Sequence, residues 1–271
     1  MKKNRRSLPI LASALAMCLL MTLCGTVYAI WNGQPDGDDH PYVCFILFFN
    51  YTGDDFVPVW SASGVAISDT VLLTAGHATE GTEMAWIWFN PEITLPPSPE
   101  RISFEIYTNE QFVIGGGPGL PGFDYHDVGV IILSPEVELP RYAELPDAGL
   151  VDELDMMTFV DQVGYGVQEL IVGDKGPPYW TGELKRYYAP AQLINSNFKH
   201  SEEFMKLTAN PAKGKGGTSF GDSGGPILLQ GTDTILGLTS YGTNYPSKGV
   251  SYAQRIDIPD ILAWINEISG S

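Results

Sequence analysis

The feature that most constrains the fold is a series of short apolar or alternating segments separated by Gly- and Pro-rich connections. Segments of this length between turn signals are typical of β-strands, and a long series of them indicates a sandwich or a barrel. We therefore expect an all-β fold, for which two antiparallel barrels are the best fit. The segments lie at 42–49, 64–67, 71–74, 84–89, 102–107, 128–133, 157–163, 183–189, 203–208, 226–229, 234–240 and 250–256.

The last segment is predicted to be an α-helix, because its apolar residues recur three and four positions apart after Pro259. These residues are Ile261, Trp264, Ile265 and Ile268. We expect four units along the chain: a signal segment, an N-terminal barrel, a C-terminal barrel and a helix packed on the second barrel. Their expected ranges are 1–29, 30–145, 146–256 and 257–271.

The first 29 residues have the layout of a secretory signal, with a basic start, an apolar run and a small-residue cleavage site ending at Ala29. We expect its removal to expose Ile30 and to release a secreted protein, which would meet the membrane only in transit. The apolar run is about 20 residues long, enough to span a bilayer. A protein anchored by the uncleaved segment is therefore the alternative.

The expected mature chain is strongly acidic, with 11 Lys and Arg against 32 Asp and Glu and a side-chain charge of −21. Such a charge disfavours nucleic acid and anionic lipid surfaces as partners. Cys44 is its one remaining cysteine, so no intramolecular disulfide can form. We expect Cys44 to be a small core residue and the fold to depend on burial, which a chain of about 242 residues can support.

A Gly-Asp-Ser-Gly-Gly-Pro stretch at 221–226 is the strongest indication of chemistry. Its glycines allow a tight bend in which the Ser223 hydroxyl is exposed and the N–H groups of Gly221 and Ser223 converge, as an acyl-transfer oxyanion requires. A plain surface turn is the competing interpretation, since all these residue types form turns.

A serine nucleophile needs a histidine base and a carboxylate that orients it. His77 is the best candidate base, because it follows an apolar strand-like run that stops at Gly76. His40 and His200 are most simply loop residues, and His126, beside Asp127, is either structural or near the site. Asp127 is the candidate carboxylate, because it directly precedes a β-branched run. Asp124 is its rival in the same loop.

These three motifs, in the order His, Asp, Ser, resemble those of the trypsin/chymotrypsin-like serine endopeptidases. The similarity runs from about Ile30 to the C-terminus and includes Gly164-Tyr-Gly166 and Ser240-Tyr-Gly242. It implies two six-stranded barrels with a C-terminal helix, a catalytic triad of His77, Asp127 and Ser223, and hydrolysis of protein or peptide substrates. It implies neither a cofactor nor a metal ion, and a monomer is expected.

The resemblance also assigns an activation pair and a substrate pocket. The new α-amino group of Ile30 would pair with Asp222, without an intervening propeptide. The pocket residues are Gly217, Thr218, Phe220, Ser240, Tyr241 and Gly242. Gly217 at the pocket base favours a large apolar or aromatic P1 side chain; an acidic P1 reached by Lys213 or Lys215 is the alternative.

Two other function classes stay open at this level. An esterase acting on small acyl substrates would use the same triad, because the triad does not dictate the leaving group. A catalytically silent binding module on the same fold would keep the architecture without turnover.

Overall fold

The structure is a computed structural model that describes residues 30–270 except for 31, 94–97, 117–121, 168, 172–178, 182, 196–201, 211–213 and 243–248. The expected signal segment at 1–29, together with His200 and Lys213, lies outside the described residues. Among the helices that are described, none has the length and apolarity needed to cross a bilayer.

The first barrel is an antiparallel sheet with the strand order β6-β5-β2-β3-β4-β8-β7. A single turn of helix, α1 (Gly76–Thr79), follows β4. The strands are β2 (Val43–Tyr51), β3 (Phe56–Ala66), β4 (Val71–Thr74), β5 (Met84–Trp88), β6 (Arg101–Ser103), β7 (Glu105–Thr108) and β8 (Gly129–Ile132).

The second barrel is a ring of six antiparallel strands, closed by the pairing of β9 with both β12 and β14. The short strand β1 (Gln34–Pro35) adds to β12 from outside, and β10 (Glu169–Ile171) and β11 (Tyr179–Thr181) form a separate hairpin. The ring strands are β9 (Phe159–Gly164), β12 (Tyr187–Asn195), β13 (Phe204–Ala209), β14 (Pro226–Leu229), β15 (Ile235–Gly242) and β16 (Gly249–Arg255).

The predicted all-β fold with two barrels is confirmed, but the first barrel has seven strand segments where six strands were expected. The difference arises at Phe104, which separates β6 from β7. The Ser103 hydroxyl donates to the Ile132 carbonyl and accepts the Glu105 N–H, so the chain changes partner from β5 to β8 at this point. Chain continuity at Phe104 thus joins the two ends of the sheet.

Strand β12 extends beyond the predicted run at 183–189 because it passes through Pro190. A proline normally ends a strand, since it lacks a backbone N–H for the ladder. Here β12 pairs with β9 as far as Gln192 and with β13 from Leu193. Pro190 therefore lies just before the strand changes partner, where a missing donor is tolerated.

Helix α3 (Pro259–Ser269) begins at a proline and ends before Gly270, whose φ of 71° suits a glycine. The remaining described helix, α2 (Leu150–Glu153), lies in the connection between the two barrels. The side chains of Ile261 and Ile265 are fully buried in a core that both barrels share, and α3 contacts β8 of the first barrel. Cys44 is buried in the same core, and burial raises the pKa of its thiol.

Candidate active site

His77 lies in the helical turn α1, directly after the fully buried strand β4. Gly76 lets this turn approach β8, because a β-carbon there would lie 2.9 Å from the Val128 nitrogen. The Trp60 indole N–H donates to the Ala78 carbonyl at 2.8 Å and fixes the other side of the turn. The imidazole is therefore held by rigid neighbours while 28% of its side chain stays exposed.

Asp127 is completely buried, yet its carboxylate is well supplied with hydrogen-bond donors. Its Oδ1 accepts the His77 backbone N–H at 2.7 Å, and its Oδ2 accepts from His77 Nδ1 at 2.8 Å and from the Ser240 hydroxyl at 2.6 Å. A buried carboxylate is tolerated only with such partners. The structure thus brings together His77, Asp127 and Ser240, which belong to both barrels.

The charges in this cluster shift the pKa values of the acid and the base in opposite directions. Burial raises the pKa of Asp127, but the charge and hydrogen bonds of His77 and Ser240 lower it more, so the net shift is downward. For His77, burial lowers the pKa, whereas the charge and hydrogen bond of Asp127 raise it, and the net shift is upward. The pair therefore favours an ionised aspartate beside a histidine that readily accepts a proton.

Asp124, the rival carboxylate, has a more peripheral position. Its Oδ2 lies 4.0 Å from His77 Nδ1, its side chain is 26% exposed, and its Oδ1 accepts the Gly115 N–H. Burial and the charge of Asp127 raise its pKa. Asp124 is close enough to affect the charge of His77, but Asp127 makes the short contacts.

His77, Asp124 and Asp127 lie close enough together to share a cation. However, both oxygens of Asp127 already accept hydrogen bonds from His77 or Ser240, and the carboxylate has no exposed surface. The cluster is therefore better suited to acid–base chemistry than to metal binding.

The Ser223 turn packs directly on the segment that leads to His77. The Ser223 carbonyl accepts the Ser63 N–H at 2.9 Å, and the Gly224 N–H donates to the Thr239 carbonyl at 2.8 Å. Gly224 has a φ of 75°, and a β-carbon there would overlap the Ala75 nitrogen. Only glycine fits this contact, which places Ser223 next to the turn of the first barrel that carries His77.

The two expected oxyanion donors, the N–H groups of Gly221 and Ser223, belong to a tight turn. Gly221 has a φ of 92°, and its carbonyl accepts the Ser63 hydroxyl at 2.9 Å. In the described part of the chain, the backbone N–H groups of Gly221 and Ser223 donate to no acceptor. Fixed, unpaired donors of this kind are what a developing oxyanion requires.

Asp222 is buried inside the same turn, with its carboxylate directed at the second barrel. It accepts the N–H groups of Gly166 and Ser219, each at 2.8 Å, and forms no ion pair within the described residues. Gly164 leaves room for it, because a β-carbon there would overlap Oδ1. Burial raises the pKa of Asp222 to about 7, although the two hydrogen bonds lower it.

Ile30, the first residue of the expected mature chain, is completely buried. It packs with Tyr187 and Ala189 of β12, and Tyr187 is the cross-strand partner of Gly164. A β-carbon on Gly164 would overlap Asp222, so Ile30 packs on a strand pair that also borders the Asp222 carboxylate.

The predicted pocket residues occupy two adjoining segments of the second barrel. Gly217 and Thr218 are buried, and the carbonyl of the preceding Gly216 accepts from Gln162 at 3.0 Å. Tyr241 is 40% exposed and its ring lies 4.3 Å from that of Phe123, whereas Phe220 is 61% exposed. Gly242 ends β15, and Lys215 places its ammonium 3.8 Å from the centre of the Phe159 ring.

One contact of the site could not be read from the sequence. Gln254 of β16 accepts the Asp127 N–H through Oε1 at 3.1 Å and is fully buried. The only sequence signal is a polar residue within the mixed run 250–256, which is equally compatible with a solvent-facing position.

Comparison with known proteins gives a consistent result. The sequence profile of the family described as Trypsin matches residues 33–265. The chain is 24% identical to Serine protease 1 and to Serine protease 2 of Drosophila melanogaster, over 89% of this chain and 86% of each relative.

Solved structures share the fold at low sequence identity. HL collagenase has a TM-score of 0.67 and 18% identity, covering 89% of this chain and 99% of its own. An inactivated protease paralogue of the scabies mite has a TM-score of 0.60 and 17% identity, covering 88% of this chain and 98% of its own. The VesB protease of Vibrio cholerae has a TM-score of 0.60 and 16% identity, covering 89% of this chain and 68% of its own.

Proposed function

The chain belongs to the trypsin family and is a serine endopeptidase, and on this premise we propose that it cleaves peptide bonds through a triad of Ser223, His77 and Asp127. The observation that carries the proposal is the 2.8 Å contact of His77 with the buried Asp127, whose pKa is lowered, together with the packing of the Ser223 turn on the segment that leads to His77. An inactivated protease paralogue shares the fold, so these side chains support the proposed activity and the architecture alone does not.

In the proposed reaction, the Ser223 hydroxyl attacks the carbonyl carbon of the scissile bond while His77 takes its proton. The N–H groups of Gly221 and Ser223 stabilise the oxyanion. His77 then gives the proton to the leaving amine, and water releases the acyl group by the same steps. Asp127 holds the tautomer with Nδ1–H and stabilises the imidazolium.

We further propose that the substrate pocket takes a large apolar or aromatic P1 side chain. Gly217 adds no side chain to the pocket base, and the buried Thr218 contributes one hydroxyl. Lys215, the described residue that an acidic P1 would require, already packs on Phe159. A cation held at an aromatic face has less to gain from a second partner.

Cleavage of a peptide library tests both the reaction class and the pocket. We expect cuts after Phe, Tyr, Leu or Met, with kcat/KM at least about tenfold above that for Glu, Lys or Arg, because one large apolar group gains roughly 1.5–3 kcal/mol on burial. Cuts predominantly after Glu would instead support the lysine-based alternative. Turnover of acyl esters without any peptide cleavage would support the esterase.

The proposed activation pair joins the α-amino group of Ile30 to Asp222, after removal of the signal and secretion of the chain. Two observations support it: Ile30 is buried against β12, which pairs with the strand that contains Gly164, and Asp222 has two hydrogen bonds but no cation among the described residues. An ammonium group there would stabilise the ionised form of Asp222 and fix the turn that carries Ser223.

The pH dependence of stability tests this pair. Without the ammonium group, the folded pKa of Asp222 is about 7, above its ordinary value of 3.8. A raised folded pKa means that the folded protein binds the proton more tightly than the unfolded chain does. Protonated Asp222 therefore contributes fully to the free energy of unfolding below about pH 4, and this contribution is lost as the pH rises through 7. The loss amounts to about 4 kcal/mol.

We therefore expect chemical denaturation to show that a protein starting at Ala29 loses stability between pH 4 and 7. A protein starting at Ile30 should keep its stability over this pH range and be active. Asp222→Asn in the longer protein should flatten the pH profile, since the titrating group is gone. Identical pH profiles and activities for the two starts would contradict the pairing.

A further inference from the structure

A buried polar ring surrounds the main chain at Asp127 and has no part in the steps above. Its central member is Gln254, whose Oε1 accepts the Asp127 N–H at 3.1 Å. Its Nε2 donates to the side chain and the carbonyl of Glu203, both at 3.1 Å. Because a backbone N–H can only donate, the first contact also fixes the orientation of the amide.

His126 closes the ring from the other side of Asp127. Its Nε2 lies 3.5 Å from Oε2 of Glu203 and 3.8 Å from Oδ2 of Asp260, and its ring stacks on Tyr125. The side chain is almost completely buried, and neither ring nitrogen has a hydrogen-bond partner among the described residues. Its φ of 50° is unusual for a side chain with a β-carbon, so surrounding contacts must hold this conformation.

The ring joins the two barrels at Asp127. Asp127 precedes β8 of the first barrel, whereas Glu203 precedes β13 and Gln254 lies in β16 of the second. The second barrel also carries Ser223. The contact between Gln254 and Asp127 therefore links the position of Asp127 to the barrel that carries Ser223.

We propose that Gln254, held in place by Glu203, is a positioning residue for Asp127, and that its contact across the barrel interface sets the alignment of Asp127 with His77. This inference rests on the proposed triad. The Asp127 side chain is oriented by His77 and Ser240, but its main chain lies beside a strained residue and has Gln254 as its hydrogen-bond acceptor. Without that acceptor the peptide can rotate, and the carboxylate moves relative to the imidazole.

The test compares the kinetics of Gln254→Met and Gln254→Asn with those of the wild type. The concentration of active enzyme in each sample is determined by titration with an acylating reagent. Met removes the acceptor at similar volume, and Asn keeps the amide but is too short to reach Asp127. We expect kcat to fall by about 10- to 100-fold with KM almost unchanged, as for a small displacement of a catalytic group. Gln192→Met in β12 is the matched control and should behave as wild type.

The pH profile distinguishes positioning from general destabilisation. Two carboxylates face His77, those of Asp127 and Asp124, and they raise its pKa against the effect of burial. A displaced Asp127 raises it less, so the acid limb of kcat/KM should shift to lower pH in both Gln254 variants. Glu203→Gln keeps the shape of the ring but weakens the acceptor for Gln254, and should produce the same changes at smaller size.

A double-mutant cycle completes the test. If Gln254 acts through Asp127, adding Gln254→Met to Asp127→Asn should cost little further activity. Wild-type kcat and pH profile in folded Gln254 or Glu203 variants would overturn the inference, as would full additivity in the cycle. An Asp127→Asn enzyme with unchanged turnover would instead overturn the proposed triad, so the two failures are distinguishable.

Discussion

Ser223→Ala is expected to lower kcat by about 10⁶-fold while leaving the fold and substrate binding nearly unchanged. The hydroxyl is the proposed nucleophile, and a methyl group cannot form the acyl-enzyme. The surrounding turn is held by backbone contacts to Ser63 and Thr239 that an alanine keeps. Steady-state hydrolysis of the best library peptide gives kcat, and thermal unfolding checks the fold.

Covalent labelling separates this result from an indirect loss of activity. A fluorophosphonate should label the wild type at Ser223 and fail to label Ser223→Ala. Ser219→Ala, in the segment that precedes the turn, is the matched control, because the substitution keeps the Ser219 backbone N–H that donates to Asp222. Full activity in Ser223→Ala would refute the proposed mechanism, whereas an unlabelled and inactive wild type would favour the silent binding module.

Asp127→Asn is expected to lower kcat by about 10⁴-fold. The asparagine amide can donate to His77 Nδ1, which stabilises the tautomer that cannot accept the serine proton. The imidazolium also loses its partner charge. Because Asp127 raises the pKa of His77 against burial, its removal should shift the acid limb of kcat/KM to lower pH.

Asp124→Asn is the matched control for the aspartate. It removes a carboxylate that lies 4.0 Å from the same nitrogen but is partly exposed and makes no short contact with the ring. Its effect on kcat should be less than about fivefold, as is typical of exposed charges. A large loss in Asp124→Asn together with a small one in Asp127→Asn would reverse the two assignments.

Much of the site could be predicted from the sequence because its signals are local. The glycines at 221, 224 and 225 specify a tight turn around Ser223 within a few residues. The strand that ends at Gly76 likewise places His77 at the end of a rigid element. Local signals separate Asp124 from Asp127 less clearly, since both lie in one loop. In the folded chain Asp127 alone of the two is completely buried.

Other features depend on contacts between distant parts of the chain. The seven segments of the first barrel arise because Ser103 bonds to the carbonyl of Ile132 and breaks one strand into two. The extension of β12 through Pro190 depends on a change of partner strand that no local pattern indicates.

The sequence alone determined the all-β architecture, the family resemblance and the turns that carry Ser223 and His77. These follow from backbone preferences and side-chain alternation, which act over a few residues. Only the tertiary structure decided which carboxylate contacts the histidine, that Ile30 packs on β12, and that Gln254 accepts a hydrogen bond from Asp127. The last contact joins residues 127 positions apart. Burial makes such a bond valuable, and only the packing of two barrels can create it.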